Sequence, residues 1–313
     1  MSNIKYLQKQ LRLPNYTTYL EFPLYFEIET VNACNADCLM CSIRKWRKHG
    51  NPLMEKRLFN KIAAEIIKYS EIVRTVNLSR DGEPLLDKDL ERKIALLKEG
   101  NIGHVAFSTN VSLLTEKRAK SLISAGLDDI MFSIDGMAKE TFESVRRGLD
   151  YDTVVENALR FISIRDEIAP SVRVRVRMVL QEKNLDEVAD WGKYWRLKLK
   201  KQDRVYAKKI HNWGNQLDNV SVLPGRRIKL LTPCTSPFST MIIKFNGVVV
   251  VCPMDFDLHY INGDLNNTTI KKVWQTGKYF DQFREIHMKC ERDDFSFCSG
   301  CRLWESDGTK QEF

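Results

Sequence analysis

The chain has 313 residues, 43% hydrophobic and 29% charged, which suits a large buried core and excludes the aromatic-poor, charge-rich composition of a disordered segment. No apolar run approaches the roughly 20 residues of a membrane span, and Met1-Ser2-Asn3-Ile4-Lys5-Tyr6 lacks the apolar core of a signal peptide; a cytoplasmic protein without a membrane partner is expected. The net charge of +8 and pI near 9.0 favour anionic partners, and eight cysteines in a reducing compartment read as metal ligands or reactive thiols rather than disulfides.

Strand-like and helix-like patterns alternate from about Leu24 to about Lys209, the pattern of repeated β-α units and a parallel sheet. The predicted strands are Leu24 to Val31, Val73 to Ser79, Val105 to Ser108, Ile130 to Ile134, Val172 to Leu180 and Arg204 to Ile210. Between them lie helical stretches at Phe59 to Tyr69, Lys88 to Glu99, Glu116 to Ala125, Lys139 to Ile164 and Leu185 to Lys198; the fourth is broken near Gly148-Leu149-Asp150, where Asp150 or Asp152 could cap a second helix. Pro224-Gly225 and Pro233 mark a linker, and a domain boundary is placed near Asp218. Beyond it, Thr240 to Phe245 and Val248 to Val251 flank Asn246-Gly247, a strong hairpin signal. Helical stretches near Ile270 to Gln275 and Asp281 to Met288 follow.

Chemistry is expected at the carboxyl ends of parallel strands. There the first strand runs into Asn32-Ala33-Cys34-Asn35-Ala36-Asp37-Cys38-Leu39-Met40-Cys41. Three thiols in one tight loop can hold three corners of a four-iron cluster and leave one iron open. The alternative is a Cys3His zinc site, for which His49 is the nearby histidine.

The C-x3-C-x2-C pattern directly after the first strand resembles the signature of the radical S-adenosylmethionine superfamily. That resemblance implies a [4Fe-4S] cluster on Cys34, Cys38 and Cys41, whose open iron binds S-adenosylmethionine. One-electron cleavage then gives a 5′-deoxyadenosyl radical that abstracts a hydrogen atom from a substrate carbon. It also implies a one-electron donor such as flavodoxin or ferredoxin, and a partial (β/α)6 TIM-like barrel within the α/β class. Met40 takes the position that is often aromatic in the family and packs on adenine. Gly82-Glu83-Pro84 resembles the segment that holds the methionine amino group; its bland reading is a turn before a helix. Ser108-Thr109-Asn110 resembles a Thr-Asn-Gly segment with Val111 replacing the glycine, and Ser133-Ile134-Asp135 resembles a segment that contacts ribose or carboxylate. On the fifth strand Arg173, Arg175 and Arg177 alternate onto one face; Arg175 or Arg177 is expected inside, clamping a carboxylate. Glu27 and Glu29 are spaced to share a face of the first strand, for substrate binding or proton transfer.

Cys234, Cys252, Cys298 and Cys301 form a second group, which by itself admits either structural zinc or a closed iron-sulfur cluster. Beside the first motif, C-x12-Gly247-x4-Cys252 and the final C-x-x-C resemble the auxiliary-cluster domains called SPASM and, in shorter form, twitch. With five cysteines in place of seven, one auxiliary [4Fe-4S] cluster is implied, in a layout similar to the twitch dehydrogenases of 2-deoxystreptamine antibiotic biosynthesis. Cys290 is left over as an alternative ligand, a hydrogen-atom donor or a buried small residue. Asp255, just past Cys252, resembles the aspartate that deprotonates the substrate radical in sulfatase-maturating relatives, at a different spacing.

The expected organisation is an extension over 1–21, a radical S-adenosylmethionine core over 22–217 and a SPASM/twitch-type cysteine-rich domain over 218–313. The resemblance admits oxidation or epimerisation of a carbohydrate-like small molecule, or modification of a peptide by crosslinking, epimerisation or formylglycine formation. About twenty residues precede the first strand, too few for a peptide-recognition domain, which favours the small molecule. A zinc-bearing nucleic-acid module would explain the charge but not the open three-cysteine loop, so nucleic acid is disfavoured.

Overall fold

A computed structural model describes residues 2–15, 17, 20–41, 43, 52–210, 213, 216, 232–299, 301 and 310–313. The expected boundary near Asp218, the Pro224-Gly225 linker, the basic run Arg44 to Lys48 and His49 lie outside the described residues.

The first six strands are β1 (Tyr25–Ile28), β2 (Thr75–Asn77), β3 (Val105–Thr109), β4 (Asp129–Ser133), β5 (Arg173–Leu180) and β6 (Arg204–Lys209). They pair in sequence order, all parallel, as a chain of β-α units requires. The connecting helices carry apolar residues at helical spacing: Lys56–Lys68 buries Leu58, Phe59, Ile62, Ala63 and Ile66. The fourth helical stretch is two helices, as its break near Gly148 predicts, Lys139–Val145 and Tyr151–Ile168. Asp150 accepts the Thr153 N–H at 2.8 Å and caps the second. On the sheet, β4 is buried throughout and β5 alternates. Val174, Val176, Met178 and Leu180 are buried on one face, and the arginines share the other with Val179, where Arg177 and Val179 line the cavity. This is a partial (β/α)6 barrel with its cavity at the carboxyl ends of the strands.

The C-terminal segment extends the same sheet. Strand β7 (Thr240–Ile243) pairs parallel with β1, and the hairpin through Gly247 (φ +90) returns as β8 (Val248–Val250). Strand β9 (Ile261–Asp264) adds beyond it, and β10 (Lys310–Glu312) covers the opposite edge along β6. The N-terminal extension forms a helix, Asn3–Leu11, whose Leu7 and Leu11 cluster with Leu24 and Phe238.

At the amino-terminal end of the barrel the buried Arg165 pairs with Asp203 through 2.8 and 2.7 Å bonds, and Asp203 also accepts the N–H groups of Val174 and Lys200. Removing one partner strands the other charge in a dry site. Asp203→Ala should therefore destabilise the fold by roughly 3–5 kcal/mol, read from anaerobic denaturant unfolding; a loss below about 1 kcal/mol, the scale of an exposed pair, would refute that account.

Candidate active site

The carboxyl ends of the strands enclose a cavity of about 340 Å³ whose wall includes Cys34, Cys38 and Cys41. All three are free thiols. Burial, then the Glu83 carboxylate and the Cys38 thiol, push Cys34 up to about 11. Burial and Cys38 push Cys41 up to about 12. The surroundings supply hydrogen bonds to sulfur: the Ala36 N–H to Cys34 at 3.4 Å and the Arg146 guanidinium to Cys38 at 3.6 Å. Three thiols facing a cavity, with no histidine among its described lining residues, are the donor set of a cluster with one open iron.

The Gly82-Glu83-Pro84 turn is built into this wall. A Cβ on Gly82 would meet the Val31 and Ala33 carbonyl oxygens at 2.1 and 2.7 Å, and the Glu83 N–H donates to Ala33 at 2.8 Å. The Glu83 carboxylate accepts from Leu85 N–H, Thr109 Oγ1 and Asn110 N–H at 3.0, 2.7 and 2.7 Å. Pro84 opens a short 3₁₀ turn and is buried behind it. Asn110 lines the cavity, its amide directed to Asn35 at 2.9 Å and Cys34 at 3.9 Å. Ser133 also lines it and accepts from Arg177 at 3.2 Å.

Of the two candidate arginines, Arg177 reaches the cavity, where burial pulls its guanidinium below the usual range and its Nε has no partner among the described residues. Arg175 is bound at the other end of the barrel to Asp129 at 2.6 Å, which also takes Arg173. Asp135 is fully buried behind the wall, accepting from Arg146 at 2.6 Å and from the Val179 N–H at 2.7 Å. Met40 lines the cavity, and an aromatic ring does stand beside it: Trp213 donates its indole N–H to the Met40 carbonyl at 2.9 Å.

The second group also comes together. Burial raises Cys234 well above the ordinary thiol range, and Cys252, Cys298 and Cys301 each add to it. Cys252 is pushed up to about 12 by burial, with contributions from Cys301 and Asp255. The Ser236 and Met254 N–H groups donate to Cys234 and Cys252 at 3.4 Å each. These four thiols, Cys298 buried and the others half-buried, with N–H donors to two of them, fit a closed cluster. The two sites are adjacent, because Met254 and Arg80 line the cavity and Arg80 also donates to the Pro253 carbonyl, next to Cys252.

Glu29, Asp255 and Cys290 also stand away from the cavity wall. Glu29 lies beyond the end of β1, accepting from Asn32 at 2.9 Å and the Phe245 N–H at 3.1 Å, whereas Glu27 faces the cavity. Asp255 accepts the His259 and Tyr260 N–H groups at 3.0 and 2.8 Å and organises the loop after Cys252. Cys290 ends the helix Lys278–Lys289 in a left-handed conformation (φ 63) and accepts from Asn3 at 3.4 Å. Sequence reasoning missed Arg80, Arg146 and Trp213 as wall residues. Arg146 carried no signal beyond a basic pair before Gly148.

Two predictions follow from these contacts. Gly82→Ala pushes a methyl into two backbone carbonyls, so it should abolish loading of the first cluster and leave the second; iron and sulfide analysis at the wild-type value would contradict this. Glu29 is pushed up to about 7 by burial and by Asp81, against the pull of Lys244. Between about pH 4.5 and 7 the native state therefore holds a proton that the unfolded chain has released, and stability falls as pH rises through that window. Glu29→Gln should gain thermal stability relative to wild type between about pH 5 and about pH 7.5; parallel melting curves across that range would exclude the effect.

Residues 28–192 match the model of the Radical SAM superfamily, and residues 234–302 match that of an iron-sulfur cluster-binding domain, SPASM. A probable GTP 3′,8-cyclase of Methanococcus maripaludis is 28% identical over 139 residues, 44% of this chain and 45% of that protein. The chain thus spans less than half the length of the curated relatives it matches. Among solved structures, BtrN in complex with AdoMet and 2-DOIA superposes with TM-score 0.62 at 19% identity, covering 90% of this chain and 93% of that one. SuiB of Streptococcus suis bound to precursor peptide SuiA gives 0.68 at 13%, covering 90% and 70%. With an open three-thiol site facing its cavity and a closed four-thiol site beside it, the chain belongs to the radical SAM superfamily and carries a C-terminal SPASM domain.

Proposed function

We propose that this enzyme oxidises or epimerises a carbohydrate-like small molecule by abstracting a hydrogen atom from carbon. When bound at Cys34, Cys38 and Cys41, the cluster and S-adenosylmethionine supply the abstracting radical. The cavity wall positions the substrate and keeps water out. The observation that carries the reading is the nearness of the four-thiol site: Met254 faces the cavity while its N–H bonds Cys252. A secondary alcohol that loses a hydrogen atom to the radical, then a proton and an electron, becomes a ketone, and an acceptor at this position suits the electron.

The part of the wall from β1, β2 and β3 supports a hydroxyl-rich substrate. Glu27, Asn77, Ser79 and Ser108 all line it, and together they offer acceptors and donors for hydroxyl or amino groups. Glu27 is held by Arg80 at 3.3 Å and keeps partial exposure. Arg177 and Asn110 are assigned to S-adenosylmethionine, Gly82 and Glu83 to the shape of its pocket, and flavodoxin or ferredoxin to the electron supply. A peptide substrate is the second reading, favoured by the fold shared with SuiB.

The test is anaerobic incubation of the two-cluster enzyme with S-adenosylmethionine, a reductant and separate panels of polyols and aminocyclitols, short peptides, and GTP. The expected result is 5′-deoxyadenosine in step with a polyol-derived product, two hydrogens lighter for oxidation or carrying solvent deuterium at carbon for epimerisation. Glu27→Gln should lower kcat/KM by roughly tenfold or more, the scale of a lost charged hydrogen bond. Turnover confined to peptides or to GTP would overturn the proposal.

A further inference from the structure

The helix Lys278–Lys289 ends against the four-thiol site, and its last turn places His287 between the Cys234 backbone and the Cys298 thiol. His287 is 2% exposed. Its Nδ1 accepts the backbone N–H of Cys234 at 3.2 Å, and its Nε2 lies 3.6 Å from the Cys298 sulfur. A nitrogen that accepts a hydrogen bond is bare, so the single proton of a neutral imidazole sits on the other one. The proton is therefore on Nε2 and points at Cys298.

The ring is fixed in place. The Cys290 N–H donates to the His287 carbonyl at 3.4 Å, and Asn3 holds the next carbonyl, of Met288, at 2.9 Å. The Phe283 ring packs one turn below, 6.5 Å away between centroids. Cys234 and Cys252 receive backbone N–H groups, whereas the donor to Cys298 is a side chain and open to substitution. Hydrogen bonds to cluster sulfurs stabilise the more negative, reduced state and raise the potential.

We propose that His287 is a positioning residue that sets the reduction potential of the auxiliary cluster through an Nε2–H to Cys298 sulfur hydrogen bond. The same ring ties Cys234, at the start of the domain, to Cys298, near its end. The inference rests on the cluster at this site and is independent of the substrate proposed above.

The experiment is a redox titration of the anaerobically loaded two-cluster enzyme followed by electron paramagnetic resonance. His287→Leu removes both the acceptor and the donor and should lower the midpoint potential of the auxiliary cluster. His287→Gln retains an acceptor and an N–H donor and should recover much of the wild-type value, with the Cys34, Cys38 and Cys41 cluster unmoved in both variants. An unchanged auxiliary potential in His287→Leu, or equal shifts in the two variants, would overturn the assignment. If His287→Leu does not hold the cluster, pulsed measurements on ¹⁵N-histidine-labelled wild type decide. A weak coupling to histidine nitrogen supports the hydrogen bond, and either no coupling or the strong coupling of a coordinated nitrogen rejects it.

Discussion

One carboxylate holds the cavity end of the barrel together. Glu83 follows β2, yet it accepts from Thr109 and Asn110 at the end of β3 and from Leu85 in its own turn, while its N–H donates to Ala33 in the cysteine loop. Burial pushes the group upward, and the three donors pull against that. All three contacts suit a carboxylate that accepts at both oxygens. Loops at the carboxyl ends of a parallel sheet share no ladder with one another, so ties of this kind decide whether the three thiols stand in one place or wander.

From that tie a chain of buried polar contacts runs around the wall. Asn110 reaches toward Cys34, Arg146 toward Cys38, and Arg146 is anchored by Asp135, which also holds β5 through the Val179 N–H. On the other side Lys244 of the C-terminal hairpin pairs with Asp81 at 2.6 Å, and Arg80 bridges Glu27, Asp81 and the Pro253 carbonyl. Half-satisfied buried networks are costly. Here the groups come from different elements, with Arg80, Glu27 and Asp81 meeting as ion pairs, and the barrel and the auxiliary domain therefore share one polar wall.

The six β-α units were legible because each has its own periodicity: the valines of β5 alternate with arginines, and Leu58, Ile62 and Ile66 recur at helical spacing. The cysteines were legible because cluster chemistry demands that residue type. What periodicity gives is faces, and partners lie outside its reach. Nothing local to Thr240–Ile243 says that it pairs in parallel with β1, and β9, half-buried after an exposed Ile261, has no apolar alternation to betray it. Glu27 and Glu29 were read as sharing a face on the assumption that the strand continues; it stops at Ile28, so Glu29 turns into the joint with Phe245. Arg146 and Trp213 lie more than a hundred residues along the chain from the Cys38 and Met40 they contact, a relation only the fold creates.

Val111 shows how strongly the site dictates backbone. It takes the place of the glycine in the family segment and still adopts φ +72, a conformation that costs a β-branched residue ~1–3 kcal/mol. The turn survives because its surroundings over-determine it. The Val111 side chain is fully buried, its N–H donates to Thr109 Oγ1 at 2.9 Å, and its carbonyl accepts the Asn157 amide at 3.2 Å. Relaxing φ would break these contacts and swing Asn110 off both Glu83 and Cys34. Burial of the isopropyl group offsets the strain on a scale of ~1.5–3 kcal/mol, so the valine gives the turn an anchor in the core that glycine could not provide.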